Sequence, residues 1–257
     1  MQRFIIGIVG IAVVIFGFQA FVSSKTEGGL PEIISEAAAT PTEQAAAPVD
    51  EPTAPVEEPA APAATEPAAK TPAQQALDAL ANVPVTPATR IPAYDRDLFG
   101  KAWEDVDGNG CDTRNDILTR DMTVTAKEGT CKVLTGTLTD PYTGKTINFV
   151  RGQQTSQAVQ IDHLHSLSGA WKAGAYAWSD DQRVAFANDP ANLLAVDGPT
   201  NSGKSDKGPS QWMPSTVGGA GYDCTYAIDY TNILVKYELT APTADITTLT
   251  ATLSSCV

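Results

Sequence analysis

Two histidines, His163 and His165, are the whole imidazole complement of this 257-residue chain, and Asp162 immediately precedes the first of them. A neutral imidazole near pH 7 can take a proton from water, which makes His163 the candidate general base. Asn201 closes a turn 38 residues after His163 and is followed by Lys204, Asp206 and Lys207. The side-chain oxygens of Asp162 and Asn201 suit one hard divalent ion. Mg²⁺ is favoured and Mn²⁺ is acceptable, because such ions keep several waters and need few protein ligands. Lys204 is a candidate phosphate contact, helped by the helix start behind it. Together these groups would supply an activated water, a counter-charge for a phosphorane-like transition state and help for the leaving oxygen, which is the chemistry of phosphodiester hydrolysis.

Other residues leave more than one reading open. His165 either joins His163 in a metal pair or is an ordinary hydrogen-bonded histidine. The loop from Asp105 to Asp116 places oxygens at positions 1, 3, 5, 9 and 12 with Gly110 at position 6, the grammar of a Ca²⁺ loop. It ends in Asp116 rather than a bidentate Glu and carries Asp112 and Cys111 where that grammar has neither. Alternatively, the segment lines a catalytic cleft and presents Arg114 to a phosphate through its bidentate fork, or it is a plain Asp/Gly turn. Trp171, Trp178 and Trp212 sit at helical spacing among apolar neighbours and read as core.

The elements that must hold these groups can be read coarsely. Asp162 and His163 fall at the end of a strand predicted over 158–164. Adjacent strand residues point to opposite faces, so the strand must end or twist there for both to reach one phosphate. Strands over 132–138 and 145–150, joined by the Asp140-Pro141-Tyr142-Thr143-Gly144 turn, predict a hairpin. Apolar spacing predicts helices over 167–176 and 180–187, and short ones over 95–103 and 205–212. Residues 193–196 and 233–239 read as strands. The mixture predicts an α+β fold with a small, irregular sheet.

The order of Asp162-His163, Asn192-Leu193-Leu194-Ala195-Val196 and Asn201 with its lysines resembles the strand–loop–strand–helix finger of HNH nucleases. More narrowly, IDHLHSLSGAW (161–171) and FANDPANLLAVDGPTNSGKSDKGPSQW (186–212) resemble the nuclease domain at the C-terminus of GmrSD-type restriction enzymes. GCDTRNDIL (110–118) and DPYTG (140–144) share the look of exported proteins of that type. The resemblance implies a ββα-metal finger, an endonuclease acting on DNA with RNA left open as a further substrate, and a bracing role for Asn192 through hydrogen bonds to the loop.

Composition divides the chain into three parts. Residues 1–34 contain an almost wholly apolar run from Phe4 to Val22 behind Arg3, which reads either as a signal peptide or as an uncleaved membrane anchor. Residues 35–90 are rich in Ala, Pro, Thr and Glu and read as a disordered spacer, with a short helix over 73–83 at its end. Residues 91–257 hold all four tryptophans and all four cysteines and form the expected nuclease domain. Both N-terminal readings put that domain outside the cytoplasm, where cysteines pair. Cys111–Cys131 and Cys224–Cys256 are the pairings nearest in sequence.

The chain carries 17 basic and 30 acidic residues, and residues 91–257 keep 13 against 20, a net of −7. That balance argues against a protein that holds nucleic acid by bulk charge and predicts weak, salt-sensitive substrate contact. No protein partner is evident, and the membrane enters only through the N-terminal segment. Two rival functions remain: a calcium-stabilised surface module without catalysis, and a cell-wall hydrolase. The second lacks the further ligand motif that a zinc hydrolase needs.

Overall fold

The computed structural model describes residues 69–219 and 221–257. The apolar segment 4–22 and most of the expected spacer lie outside these residues. No helix among the described residues is long and apolar enough to cross a membrane.

The first described element is helix α1 (Pro72–Leu80). Thr71 caps it in a reciprocal box with Gln74, and Pro72 occupies a first-turn position where its missing N–H costs nothing. Ala73, Ala76 and Leu80 form a buried stripe that packs on the two C-terminal helices, α6 (Asp223–Lys236) and α7 (Thr243–Ser254). This helix falls within the stretch assigned from composition to the spacer, yet its buried face belongs to the main core. Val85 forms a parallel bridge with Ala241 and ties the following segment down as well.

Between these helices lie two small antiparallel sheets, so the fold is a mixed α and β one. Helix α2 (Thr113–Asp121) leads into a three-stranded sheet of β1 (Thr123–Glu128), β2 (Lys132–Thr139) and β3 (Thr146–Val150). The expected 140–144 turn joins β2 to β3 and pairs Thr139 with Thr146. Gly144 adopts φ 71° there, a region where a β-carbon is disfavoured. β1 escaped the sequence reading because five of its six residues are exposed.

The second sheet is a two-stranded ribbon of β4 (Val159–His163) and β5 (Leu193–Asp197), in which Asp162 lies opposite Leu194 and His163 opposite Leu193. Helices α3 (Leu167–Lys172) and α4 (Asp180–Ala187) fill the connection. Helix α5 (Gly198–Lys204) follows β5 directly. One face of the ribbon, with Val159, Ile161, Leu193 and Ala195, belongs to a core cluster shared with α2 and the three-stranded sheet. The opposite face, with Leu194 and Val196, belongs to the larger cluster under α6 and α7.

Four expectations change. Residues 197–200 are not a free turn: Asp197 caps α5 by accepting from the Thr200 N–H, and Pro199 fits its first turn. Gly198 is required because a β-carbon there would collide with the Gln157 carbonyl. Helix α5 then ends at Ser205, with φ 54°, so the helix expected over 205–212 is replaced by turns. Residues 233–239 are not a strand. The buried set Tyr226, Ala227, Tyr230, Ile233 and Leu234 has helical spacing and lies in α6, which the contiguous run Ile233-Leu234-Val235 conceals. Residues 95–103 hold a single 3₁₀ turn, Arg96–Phe99.

Both disulfides form as paired above, Cys111–Cys131 across 20 residues and Cys224–Cys256 across 32. The first joins the loop before α2 to the start of β2, and the second joins α6 to the end of α7.

Candidate active site

Asp162 and His163 are the last two residues of β4 and point to opposite faces of the ribbon, as the alternation of a strand requires. Both nevertheless line one cleft of about 320 Å³, together with Asn201, Asp206, Arg96 and Trp103.

On one face, His163 is held at both its edge and its plane. Its Nε2 lies 2.9 Å from the Ala187 carbonyl oxygen. A carbonyl can only accept, so Nε2 carries the hydrogen and Nδ1 is left with the lone pair. The Trp103 indole stacks on the ring with centroids 6.1 Å apart and planes 17° from parallel. Burial lowers the imidazole to about 4, with Arg96 and Lys204 adding to the effect and the Ala187 bond opposing it. The ring is therefore neutral near pH 7, with the Nδ1 lone pair free of a partner among the described residues.

On the other face, Asp162 is 4% exposed and sits among permanent donors. Tyr142 donates its hydroxyl to Oδ2 at 2.6 Å. The Lys204 ammonium lies 3.1 Å from Oδ1 and 3.0 Å from Oδ2, and also donates to the His163 carbonyl at 2.9 Å. Burial raises the carboxyl above the ordinary aspartate range, against the pull of Lys204 and the Tyr142 hydroxyl. Lys204 is itself fully buried at 0% exposure, so no part of its ammonium reaches the cleft surface where a phosphate contact was expected. Tyr142, the other donor to Asp162, belongs to the DPYTG turn, which Asp140 docks onto the ribbon by accepting from the Asp197 N–H at 3.0 Å. Tyr142 received no role from the sequence, although its motif was conspicuous.

Asn201 projects from α5 and donates Nδ2 to the Gln160 Oε1 at 2.8 Å, which leaves its own Oδ1 available. Among the described residues, no three His, Cys, Asp or Glu side chains converge as a metal cage. Asp162 and Asn201 nonetheless both line the cleft, and an aspartate with an asparagine is the kind of donor set that a hard ion keeping most of its water accepts. Asn192 is fully buried and closes the loop after β4: its Oδ1 accepts from the His165 N–H at 2.8 Å and its Nδ2 donates to the His165 carbonyl at 3.1 Å.

Two residues are not brought to His163. Arg114 donates to the Val159 carbonyl at 3.1 Å, at the opposite end of β4 and about 13 Å along the strand at ~3.3 Å per residue. His165 is buried and stacks on Tyr230 with centroids 4.9 Å apart, so it does not pair with His163 as a metal ligand. In the Asp105–Asp116 loop the carboxylates accept local donors: Asp105 and Asp107 take the Asn109 N–H, Asp105 also takes the Gly110 N–H, and Asp112 caps α2. Arg96, which the sequence reading passed over, is exposed on the cleft wall.

Residues 112–241 match the family described as GmrSD restriction endonucleases, C-terminal domain. The chain belongs to this family. The GmrSD-type match spans α2, both sheets and the site residues from Tyr142 to Asp206, leaving Arg96 and Trp103 ahead of it, and marks the domain as one of nuclease type. A protein of Arthroderma benhamiae, described as an uncharacterized secreted protein, is 35% identical over 186 residues, covering 72% of this chain and 86% of the relative. No solved structure matches the chain.

Proposed function

We propose that this GmrSD-type domain is a metal-dependent endonuclease of the HNH kind, hydrolysing phosphodiester bonds of DNA outside the cytoplasm. The observation that carries the reading is the state of His163: neutral, fixed through Nε2, with Nδ1 free beside a cleft that also holds Asp162 and Asn201. The succession β4, β5, α5 supports a ββα finger. The secreted relative supports an extracytoplasmic site of action, as do the two disulfides.

His163 Nδ1 takes a proton from the attacking water while the water oxygen bonds to phosphorus and one P–O ester bond breaks. Trp103 and the Ala187 carbonyl keep the imidazole in one orientation and one tautomer. A single divalent ion, Mg²⁺ or Mn²⁺, held by the Asp162 carboxylate and Asn201 Oδ1, would supply positive charge against the phosphate and the leaving oxygen. Asn192 fixes the loop that follows the base. Lys204 and Arg114 act as positioning residues, the first on Asp162 and the second on the start of β4. Arg96 is the cation that meets substrate phosphate.

The test is plasmid nicking by the full chain with Mg²⁺, Mn²⁺, Ca²⁺ or EDTA, beside His163→Ala. Cleavage with Mg²⁺ or Mn²⁺ that disappears in EDTA and in the variant is the expected result. Equal cutting by parent and variant would remove His163 as the base. Asn201→Ala should weaken Mn²⁺ binding measured by electron paramagnetic resonance, and unchanged binding would remove its ligand role.

A further inference from the structure

Beside the cleft lies a second cavity of about 160 Å³ that shares Ser166 and Asp206 with it. Two of its lining residues are glycines with close neighbours. A β-carbon at Gly169 would lie 3.2 Å from His165 Cε1, and one at Gly208 would collide with the Asp245 carboxylate. The space thus depends on two positions that carry no side chain.

Two acceptors on residues with little exposed surface border it. His165 is 4% exposed, and its Nδ1 lies 3.4 Å from the Ser166 carbonyl oxygen. That oxygen only accepts, so Nδ1 bears the hydrogen and Nε2 the lone pair. Nε2 has no hydrogen-bond partner among the described residues and is not sealed from the cavity. Asp245 is 6% exposed, and the Ser210 N–H, 2.8 Å from Oδ1, is its one hydrogen-bond donor among the described residues. Both groups keep acceptor capacity that no donor among the described residues uses, so the pair fits a ligand that presents adjacent N–H groups. Lys172, whose ammonium donates to Asp206 Oδ2 at 2.9 Å, and Gln211 line the same cavity with donor-bearing side chains. The volume falls below the ~300 Å³ and more of pockets for larger organic ligands and suits one flat heterocycle.

We propose that this cavity is a guanine-binding subsite. Guanine presents N1–H and the N2 amino group side by side, matching a carboxylate and an imidazole lone pair, with O6 left for Lys172 or Gln211. Adenine and cytosine place a ring acceptor next to their amine, which would face the Asp245 carboxylate. Thymine and uracil flank their one ring N–H with two carbonyls. Reading a base by its Watson–Crick edge in a side pocket is established chemistry for enzymes that draw a base out of its stack. The proposal rests on the nuclease reading only in naming the strand in the cleft as the source of the base.

The experiment is isothermal titration of the full chain with guanosine, adenosine, cytidine and uridine 5′-monophosphates, beside Asp245→Asn. The amide keeps an acceptor for the Ser210 N–H and loses the carboxylate's capacity to take two donors. Guanosine monophosphate should bind at least tenfold more tightly than the other three and lose at least tenfold in the variant. If the variant melts early, the ¹⁵N resonance of His165 Nε2 in the parent protein replaces it, and it should shift with guanosine monophosphate alone. Equal affinity for all four nucleotides, no binding at all, or an unmoved Nε2 resonance would overturn the proposal. Cleavage products mapped on single strands then identify the source: a bias beside guanine points to the substrate strand, and its absence points to a free nucleotide. Guanine binding without any cleavage would count against the nuclease reading and leave the subsite standing.

Discussion

Replacing Lys204 by Met keeps most of the stem's volume and deletes the ammonium that the fold has enclosed. Lys204 has no exposed surface and Asp162 has 4%, so solvent cannot take over the pairing. Removing one partner of a buried ion pair costs about 3–5 kcal/mol, which at about 2–4 °C per kcal/mol for a domain of this size lowers the melting temperature by roughly 6–20 °C. The loss should depend on pH in a fixed direction. Asp162 already has a carboxyl raised by burial, and Lys204 is one of the groups holding it down. Without the ammonium the folded-state value rises further. The unpaired charge then weakens the fold at neutral and higher pH and is relieved as pH falls through that raised value. Calorimetry of parent and Lys204→Met between pH 8 and pH 4.5 measures both effects. The double variant Asp162→Asn with Lys204→Met should recover part of the loss, because it leaves no lone charge. A single variant melting with the parent at every pH would refute the enclosed pair and return Lys204 to the surface, as a phosphate contact would require.

Three further outcomes follow from the same geometry. His165 is lowered by burial to about 4 from 6.5, so below pH 6.5 the unfolded chain takes a proton that the folded one refuses. Its contribution, ~3 kcal/mol, is complete above pH 6.5 and lost by pH 4. His165→Phe, which preserves the stack on Tyr230, should flatten the fall of stability over that range in urea titrations, and an unchanged slope would count against it. Asn192→Ala orphans the His165 N–H and carbonyl and should cost about 1–3 kcal/mol for each group, with cleavage falling as the loop shifts; an unmoved urea midpoint would disprove the brace. Loop lengths of 20 and 32 residues give each disulfide about 3–4 kcal/mol, so a melting temperature indifferent to reductant would mean that the bridges do not form.

The parts of this site that share sequence with a strand were legible in advance. Asp162 and His163 alternate with Val159 and Ile161 in period two, and Asn192 with Leu193 and Leu194 announces the partner strand. Chain-distant partners were not legible. Nothing near Lys204 shows that Asp162, 42 residues away, will draw it inside, and nothing near Tyr142 shows that its hydroxyl completes the same carboxylate. Local readings erred where a short run fits two periods. Ile233-Leu234-Val235 alternates poorly and clusters well, and only the earlier tyrosines of α6 resolve it. Asp197-Gly198-Pro199-Thr200 has the composition of a turn, because a proline at the start of a helix and one in a loop have the same sequence signature.

The β4–β5 ribbon is a party wall between two cores. Asp162 faces the cluster containing Tyr142 and Trp212, while His163 stands on the side of Ile161 and Trp103. Neither core can loosen on its own without shifting one member of the pair relative to the other. The site therefore acts as a gauge of the whole domain: substitutions far from the cleft, in the three-stranded sheet or under α6, reach it through opposite faces of a single strand. Such a device ties the geometry of the site to complete folding, so a half-melted domain keeps no intact cleft.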